Sequence, residues 1–247
     1  MGRAPVNANA PTSADAWRVA ALTMMPPAEL AALLSGGDAA CWVEAAAACG
    51  IAEAQVRLGR MLLEAKDERA AFACFLSAAK AGDIDATNML GRCYENGWGT
   101  ARDFAQAARH YAIAAEAGHA WAQYNLGHLL LDGNGVARDR DAAFAWYARA
   151  AAQGHERAMN LVARCCEEGW GCPRDPAAAR EWYRRSAEAG YFRGAYNYAT
   201  ILVAEGCIAG ALRWFKRALE TAPEPTRSNI VAALGRHADA QMRALVH

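Results

Sequence analysis

The stretch Ala86-Thr-Asn-Met-Leu-Gly-Arg-Cys-Tyr-Glu-Asn-Gly-Trp-Gly99 returns 36 residues later as Ala122-Gln-Tyr-Asn-Leu-Gly-His-Leu-Leu-Leu-Asp-Gly-Asn-Gly135. After the same step it returns again, weakened, from Ala158 through Val162, Ala163 and Cys166 to Gly169 and Gly171. The residues after each copy keep the spacing: Asp103, Asp139 and Asp175; Tyr111, Tyr147 and Tyr183; Gly118, Gly154 and Gly190. A fixed period of this size marks a stacked array, in which a unit buries its apolar face only against its neighbours.

Each unit reads as two helices. The first runs from about Ala86 to Asn96, with Leu90 and Tyr94 four residues apart and so on one buried face. Gly91 lets the second helix approach the backbone of the first, and Gly97 and Gly99 break the helix into a turn. Asp103 stands where an N-cap belongs, its carboxylate accepting amide hydrogen bonds at the positive helix end. Ala107, Tyr111, Ala114 and Ala115 form the inner face of the second helix, which Gly118 closes.

Working outward, the flanking units are shorter. Leu58-Gly59 precedes Phe75 by 17 residues, against 21 from Leu90 to Tyr111, and the same contraction separates Tyr198-Ala199 from Phe215. Both flanks lack the Gly-x-Gly turn. Upstream, Trp42, Ala46 and Gly50 match Trp146, Ala150 and Gly154, so a degenerate unit starts near Pro27. Downstream, Leu234-Gly235 falls 36 residues after Tyr198-Ala199 as the first helix of a closing unit, with Met242, Leu245 and Val246 on a last helix. The expected organisation is a disordered tail over 1–14, N-terminal capping helices and a degenerate repeat over 15–50, the array over 51–222, and C-terminal capping helices over 223–247. The fold class is all-α, a right-handed α/α superhelical solenoid whose atypical end units cap its apolar edges.

Composition agrees. Alanine supplies about a quarter of the 247 residues, far above ordinary usage, and it is both the best helix former and the side chain that lets helices approach closely. The formal net charge is zero and no basic run follows one face, which speaks against nucleic acid or an anionic membrane as partner. Residues 1–14 lack the apolar run of a secretory signal and no later stretch reaches transmembrane length, so the expected compartment is the cytoplasm. The eight cysteines have no regular pairing and mostly occupy positions suited to a small apolar residue; buried free thiols are the expected state.

The pattern Ala-x3-Leu-Gly-x2-Tyr-x2-Gly-x-Gly-x3-Asp-x3-Ala-x3-Tyr-x2-Ala-Ala-x2-Gly resembles the Sel-one-like repeat (SLR), a relative of the tetratricopeptide repeat. The resemblance covers about residues 50–220 and departs at Val162, Ala163 and Cys166. It implies a non-enzymatic scaffold that binds a protein or peptide, often along the concave face made by the first helices. Similar Ala- and Arg-rich SLR proteins are often encoded beside iron-uptake receptors and iron-dependent dioxygenases. That gives the alternative of an enzyme or enzyme-regulating subunit, a partner of such a dioxygenase or a weak hydrolase.

The residues able to carry chemistry each have a packing role open to them as well. Gly97-Trp98-Gly99, Gly133-Asn134-Gly135 and Gly169-Trp170-Gly171 lack the preceding strand and lysine of a phosphate loop and read as turns, with Trp98 and Trp170 either covering neighbouring units or presenting an aromatic contact. Cys165-Cys166-x5-Cys172 does not have the spacing of a zinc site. His119 and His155 start helices; His110, His128 and His237 are scattered, and no Ser-His-Asp or Cys-His set repeats. No cofactor, metal or catalytic residue is expected. The candidate binding residues lie two positions either side of the repeat leucine on the first helices. One ladder holds Val56, Asn88, Tyr124, Asn160 and Tyr196; the other holds Arg60, Arg92, His128, Arg164 and Thr200; Glu53, Asp85, Trp121, Arg157 and Arg193 lie beside them. The proposed groove set is Arg60, Asn88, Arg92, Trp121, Tyr124, His128, Asn160, Arg164 and Tyr196. Asparagines beside arginines resemble the carboxylate-holding grooves of tetratricopeptide domains. A solvated polar surface is the other reading of the same residues.

Overall fold

The computed structural model describes residues 39–236 and 240–244, with a few positions between 21 and 32. The expected tail over 1–14, most of the segment over 15–38, and His237, Leu245 and Val246 lie outside the described residues. Among the described residues every regular element is a helix. In chain order these are α1 (Ala39–Ala48), α2 (Ala52–Glu64), α3 (Glu68–Lys80), α4 (Ile84–Asn96), α5 (Phe104–Glu116), α6 (Ala120–Asp132), α7 (Arg140–Ala152), α8 (Glu156–Glu168), α9 (Pro176–Glu188), α10 (Phe192–Ala204), α11 (Ile208–Thr221), α12 (Thr226–Gly235) and α13 (Ala240–Ala244).

The chain divides into two compact units, Met1–Ala117 and Gly118–His247. In the first, α1 to α5 pack as consecutive neighbours; in the second, α6 to α11 do the same. The 36-residue repeat therefore corresponds to a helix pair, α4 with α5, α6 with α7, and α8 with α9.

In three helix pairs a glycine on the first helix faces an aromatic ring on the second; α8 and α10 carry the buried Ala163 and Ala199 at that position instead. A Cβ on Gly91 would lie 2.5 Å from the Tyr111 ring, one on Gly127 2.6 Å from Tyr147, and one on Gly59 2.6 Å from Phe75. Tyr111, Tyr147 and Phe75 are fully buried, so the ring fills the space that a larger residue on the first helix would take. Alanines complete the interface: Ala107, Ala114 and Ala115 in α5 and Ala143, Ala150 and Ala151 in α7 are buried. In α9 the homologue of Ala150 is Ser186, whose hydroxyl donates to the Glu156 carbonyl at 2.7 Å. The residue beside that hydroxyl is Gly194, where the earlier repeats carry Ala122 and Ala158.

Helix ends follow the sequence chemistry. Asp103 accepts from the amides of Ala105 and Gln106 at 2.9 and 3.0 Å, and Asp139 and Asp175 cap α7 and α9 in the same manner. Gly97, Gly133 and Gly169 end their helices with φ near +75°, at 79°, 79° and 72°. The second glycine of the turn does a different job. Gly99 lies against the backbone of Glu68 and Arg69 at the start of α3, and Gly171 against Arg140 and Asp141 at the start of α7. Each of these two turns thus packs on the N-terminus of the second helix one repeat earlier, and a side chain there would collide with main chain. In the contracted flanks α2 passes to α3 through residues 65–67, and α10 to α11 through 205–207, without such a turn.

At the C-terminal end, Ile230, Leu234 and Met242 are buried in the core of the second unit. No helix among the described residues is long and apolar enough to cross a membrane.

Candidate functional site

In the second unit, the outward positions of α6, α8 and α10 carry Trp121, Tyr124 and His128, then Arg157, Asn160 and Arg164, then Arg193 and Tyr196. The α6 residues form an aromatic stack. The Tyr124 ring lies nearly parallel to His155, centroids 4.9 Å apart, and edge-on to His128 at 4.6 Å. Trp121 meets His155 edge-on at 4.3 Å, and the Arg157 guanidinium lies over Trp121 at 5.1 Å and over Tyr191 at 5.8 Å. Trp121 keeps 42% of its surface exposed, so the stack has an open apolar face.

His155 holds this stack from beneath. Its Nδ1 accepts from the Ala158 amide at 3.2 Å, capping α8 in the way that Asp83 caps α4. That bond leaves the proton on Nε2, which is buried without a partner. Burial lowers the pKa of this histidine; the neighbouring Glu156 carboxylate opposes that shift and the Arg157 guanidinium adds to it. The sequence shows His119 and His155 at one repeat position, but not that an imidazole there serves as cap and ring platform at once.

A cleft of about 460 Å³ lies between α8, α10 and α12. Asn160, Arg164, Arg193, Tyr196 and Asn197 line one side; Thr226 and Asn229 of α12 line the other. Asn160 Oδ1 accepts from Asn197 Nδ2 at 2.9 Å. Glu167, which also lines the cleft, accepts from the Tyr183 hydroxyl at 2.7 Å. Arg164 lies over the Trp170 ring at 4.9 Å and also borders a second cleft of about 300 Å³ with His128, Asp132 and Arg138.

The structure thus brings Trp121, Tyr124 and His128 into one cluster and Asn160, Arg164 and Tyr196 into one cleft. In the first unit, Arg60 donates to Asp85 at 2.6 Å. Arg92 lies over Trp98 at 5.1 Å and donates to Met89 Sδ at 3.6 Å, and Asn88 is 4% exposed. Two features differ from the sequence reading. Val56, Asn88 and Asn160 are buried, because that ladder turns toward neighbouring helices, as the Asn160–Asn197 bond shows. Arg92 and Arg164, read as groove cations, each fold over the tryptophan of its own turn. Among the described residues no group of three or more His, Cys, Asp or Glu could hold a metal ion.

The Sel1 repeat model matches residues 52–83, 84–119, 122–155 and 156–191, which is more than half of the chain. The chain belongs to the Sel1 repeat family. Sel1 repeat proteins are in general scaffolds for protein–protein interaction. Among solved structures, a Sel1 repeat protein from Oxalobacter formigenes is 26% identical with a TM-score of 0.76, covering 87% of this chain and 91% of its own. A protective antigen of uropathogenic Escherichia coli with an SLR fold is also 26% identical, TM-score 0.69. That match covers 89% of this chain, which spans 50% of the antigen's length. The immunity protein Pa5087 from Pseudomonas aeruginosa shares the fold at 15% identity, TM-score 0.55, over 79% of this chain and 75% of its own. No curated protein matches the sequence.

Proposed function

We propose that this Sel1 repeat protein is a non-enzymatic scaffold that holds an extended, acidic segment of a partner protein in the cleft between α8, α10 and α12. The observation that carries the reading is the pairing of Arg164 and Arg193 with the amides of Asn160, Asn197 and Asn229 in that single cleft. Neither guanidinium is in an ion pair among the described residues, and the Glu167 carboxylate that lines the same cleft accepts from the Tyr183 hydroxyl. Two cations with amide donors and acceptors suit a peptide backbone bearing carboxylates; the amides bond the main chain and the guanidiniums the acids. The neighbouring stack of Trp121 and Tyr124 adds apolar contact at low entropic cost, as at protein interfaces generally.

Each charge-assisted bond formed on binding contributes about 1.5–3 kcal/mol before solvent screening. The test is affinity capture of the partner by the wild-type chain and by the Arg164→Glu, Arg193→Glu variant, followed by calorimetry with a synthetic acidic segment of the recovered protein. Loss of at least roughly tenfold in affinity is expected, with folding retained. Equal affinity of both forms for that segment removes the cleft as the binding site.

A further inference from the structure

Cys166 and Cys172 have no place in the function proposed above. Cys166 occupies the position of Tyr94 and Leu130 near the end of the first helix, and Cys172 follows the turn where Thr100 and Val136 stand. This repeat alone of the three carries a thiol at both. Their Sγ atoms lie 3.9 Å apart, and both are free. The turn between them is held on each side: the Trp170 amide donates to the Cys165 carbonyl at 2.9 Å and the Asp175 amide to the Cys166 carbonyl at 2.8 Å. Gly171 is pressed on the Arg140 main chain. The two sulfurs are therefore kept in contact by backbone structure, and closing the gap to a bond length of about 2.05 Å asks for a shift of about 2 Å.

We propose that Cys166 and Cys172 form a reversible disulfide by exchange with a small-molecule disulfide such as oxidised glutathione, and that this bond controls the cleft beside it. Cys172 is the more accessible sulfur. Its thiolate attacks the small disulfide, forming a mixed disulfide and releasing one thiol after protonation. Cys166 then gives its proton to solvent, attacks the Cys172 sulfur and expels the second thiol. Two protein thiols are oxidised, one small disulfide is reduced to two thiols, and no other reactant is needed. Burial, and next the adjacent Cys172, raise the Cys166 pKa to about 11. The attack by Cys166 therefore quickens as pH rises. The link to the cleft is Trp170, which sits in the bridged turn beneath the Arg164 guanidinium. Drawing Cys172 toward α8 moves that turn, and with it the cation shared by both clefts. This control rests on the function proposed above; the disulfide does not.

The full chain is incubated with oxidised glutathione, quenched with N-ethylmaleimide and mapped by mass spectrometry. A Cys166–Cys172 link that dithiothreitol reverses is expected, forming about tenfold faster for each pH unit between 7 and 9. Cys166→Ser should stop at a lasting glutathione adduct on Cys172, and Cys165→Ser should leave the link intact. A lasting adduct on the wild-type Cys172, or a link that runs through Cys165, overturns the proposal. Binding of a poly-glutamate peptide is then compared between forms, with at least a threefold difference expected. Equal affinity overturns the control of the cleft. Absence of binding by either form overturns the proposed function together with its control, while the disulfide is judged by the mapping alone.

Discussion

Replacing Tyr111, Tyr147 and Tyr183 by Phe removes the same oxygen from three equivalent places, and the expected costs differ. The Tyr111 hydroxyl donates to Glu95 Oε2 at 2.5 Å and the Tyr183 hydroxyl to Glu167 Oε2 at 2.7 Å. The Tyr147 hydroxyl is buried without a partner, because Leu131 stands where the other repeats have glutamate. A hydrogen bond to a charged acceptor is worth about 1.5–3 kcal/mol, less when the carboxylate is partly in water. Tyr111→Phe and Tyr183→Phe should therefore each lose about 1–2 kcal/mol. Tyr147→Phe sheds an oxygen whose desolvation is uncompensated, and should be neutral or gain up to about 1 kcal/mol. At this chain length each kcal/mol moves Tm by about 2–4 °C. Urea unfolding followed by circular dichroism, with midpoints compared at constant m, gives the ordering. Adding Leu131→Glu completes a double-mutant cycle, with a coupling to Tyr147 of about 1 kcal/mol expected. A loss at Tyr147→Phe equal to that at Tyr111→Phe would refute the reasoning, and would mean that an ordered water satisfies the hydroxyl.

Gly91→Ala puts a Cβ 2.5 Å from the Tyr111 ring and should cost about 1–3 kcal/mol by overpacking; wild-type stability in the same urea assay would show the ring free to move aside. Arg92→Ala gives up its contact with Trp98 and should cost about 0.5–1 kcal/mol, read in the same way. Burial lowers the pKa of His155 and of His110, so the unfolded chain binds more protons below the ordinary histidine value. Their contribution is complete above about pH 6.5 and is lost as pH falls below it. His155→Asn, which keeps a capping side chain, should flatten that loss, and midpoints at pH 7.5 and 5.5 check it. Truncation after Ala222 removes Ile230, Leu234 and Met242 from the second unit's core and should lower Tm or cause aggregation; a monomer melting at the parent temperature would contradict this.

What the sequence made legible is whatever the repeat spacing fixes by itself. A glycine one residue after the repeat leucine, and a tyrosine 20 residues beyond it, imply a contact between two helices, and Gly91–Tyr111 and Gly127–Tyr147 meet as that spacing implies. The shortened turns were equally plain as a loss of four residues. Side chains that reach beyond their own repeat position were not. Arg92 and Arg164 have stems long enough to fold back over Trp98 and Trp170, and the spacing that places their Cα atoms leaves the direction of their heads undetermined. Asn160 turned toward Asn197 because the neighbouring first helix offers an amide at that height, a fact belonging to the pair and absent from either residue alone. The α12 wall was hidden for a third reason. Leu234-Gly235 keeps the 36-residue step, which suggests one more unit in the row, yet the cleft is lined by Thr226 and Asn229 from that same helix. Periodicity therefore located the residues that every repeat shares, whereas the cleft is assembled from places where a repeat departs from its neighbours. Thr226 and Asn229 on α12 are such departures, and specificity for one partner has to reside in residues of that kind, since many of the shared ones are already committed to holding the helices together.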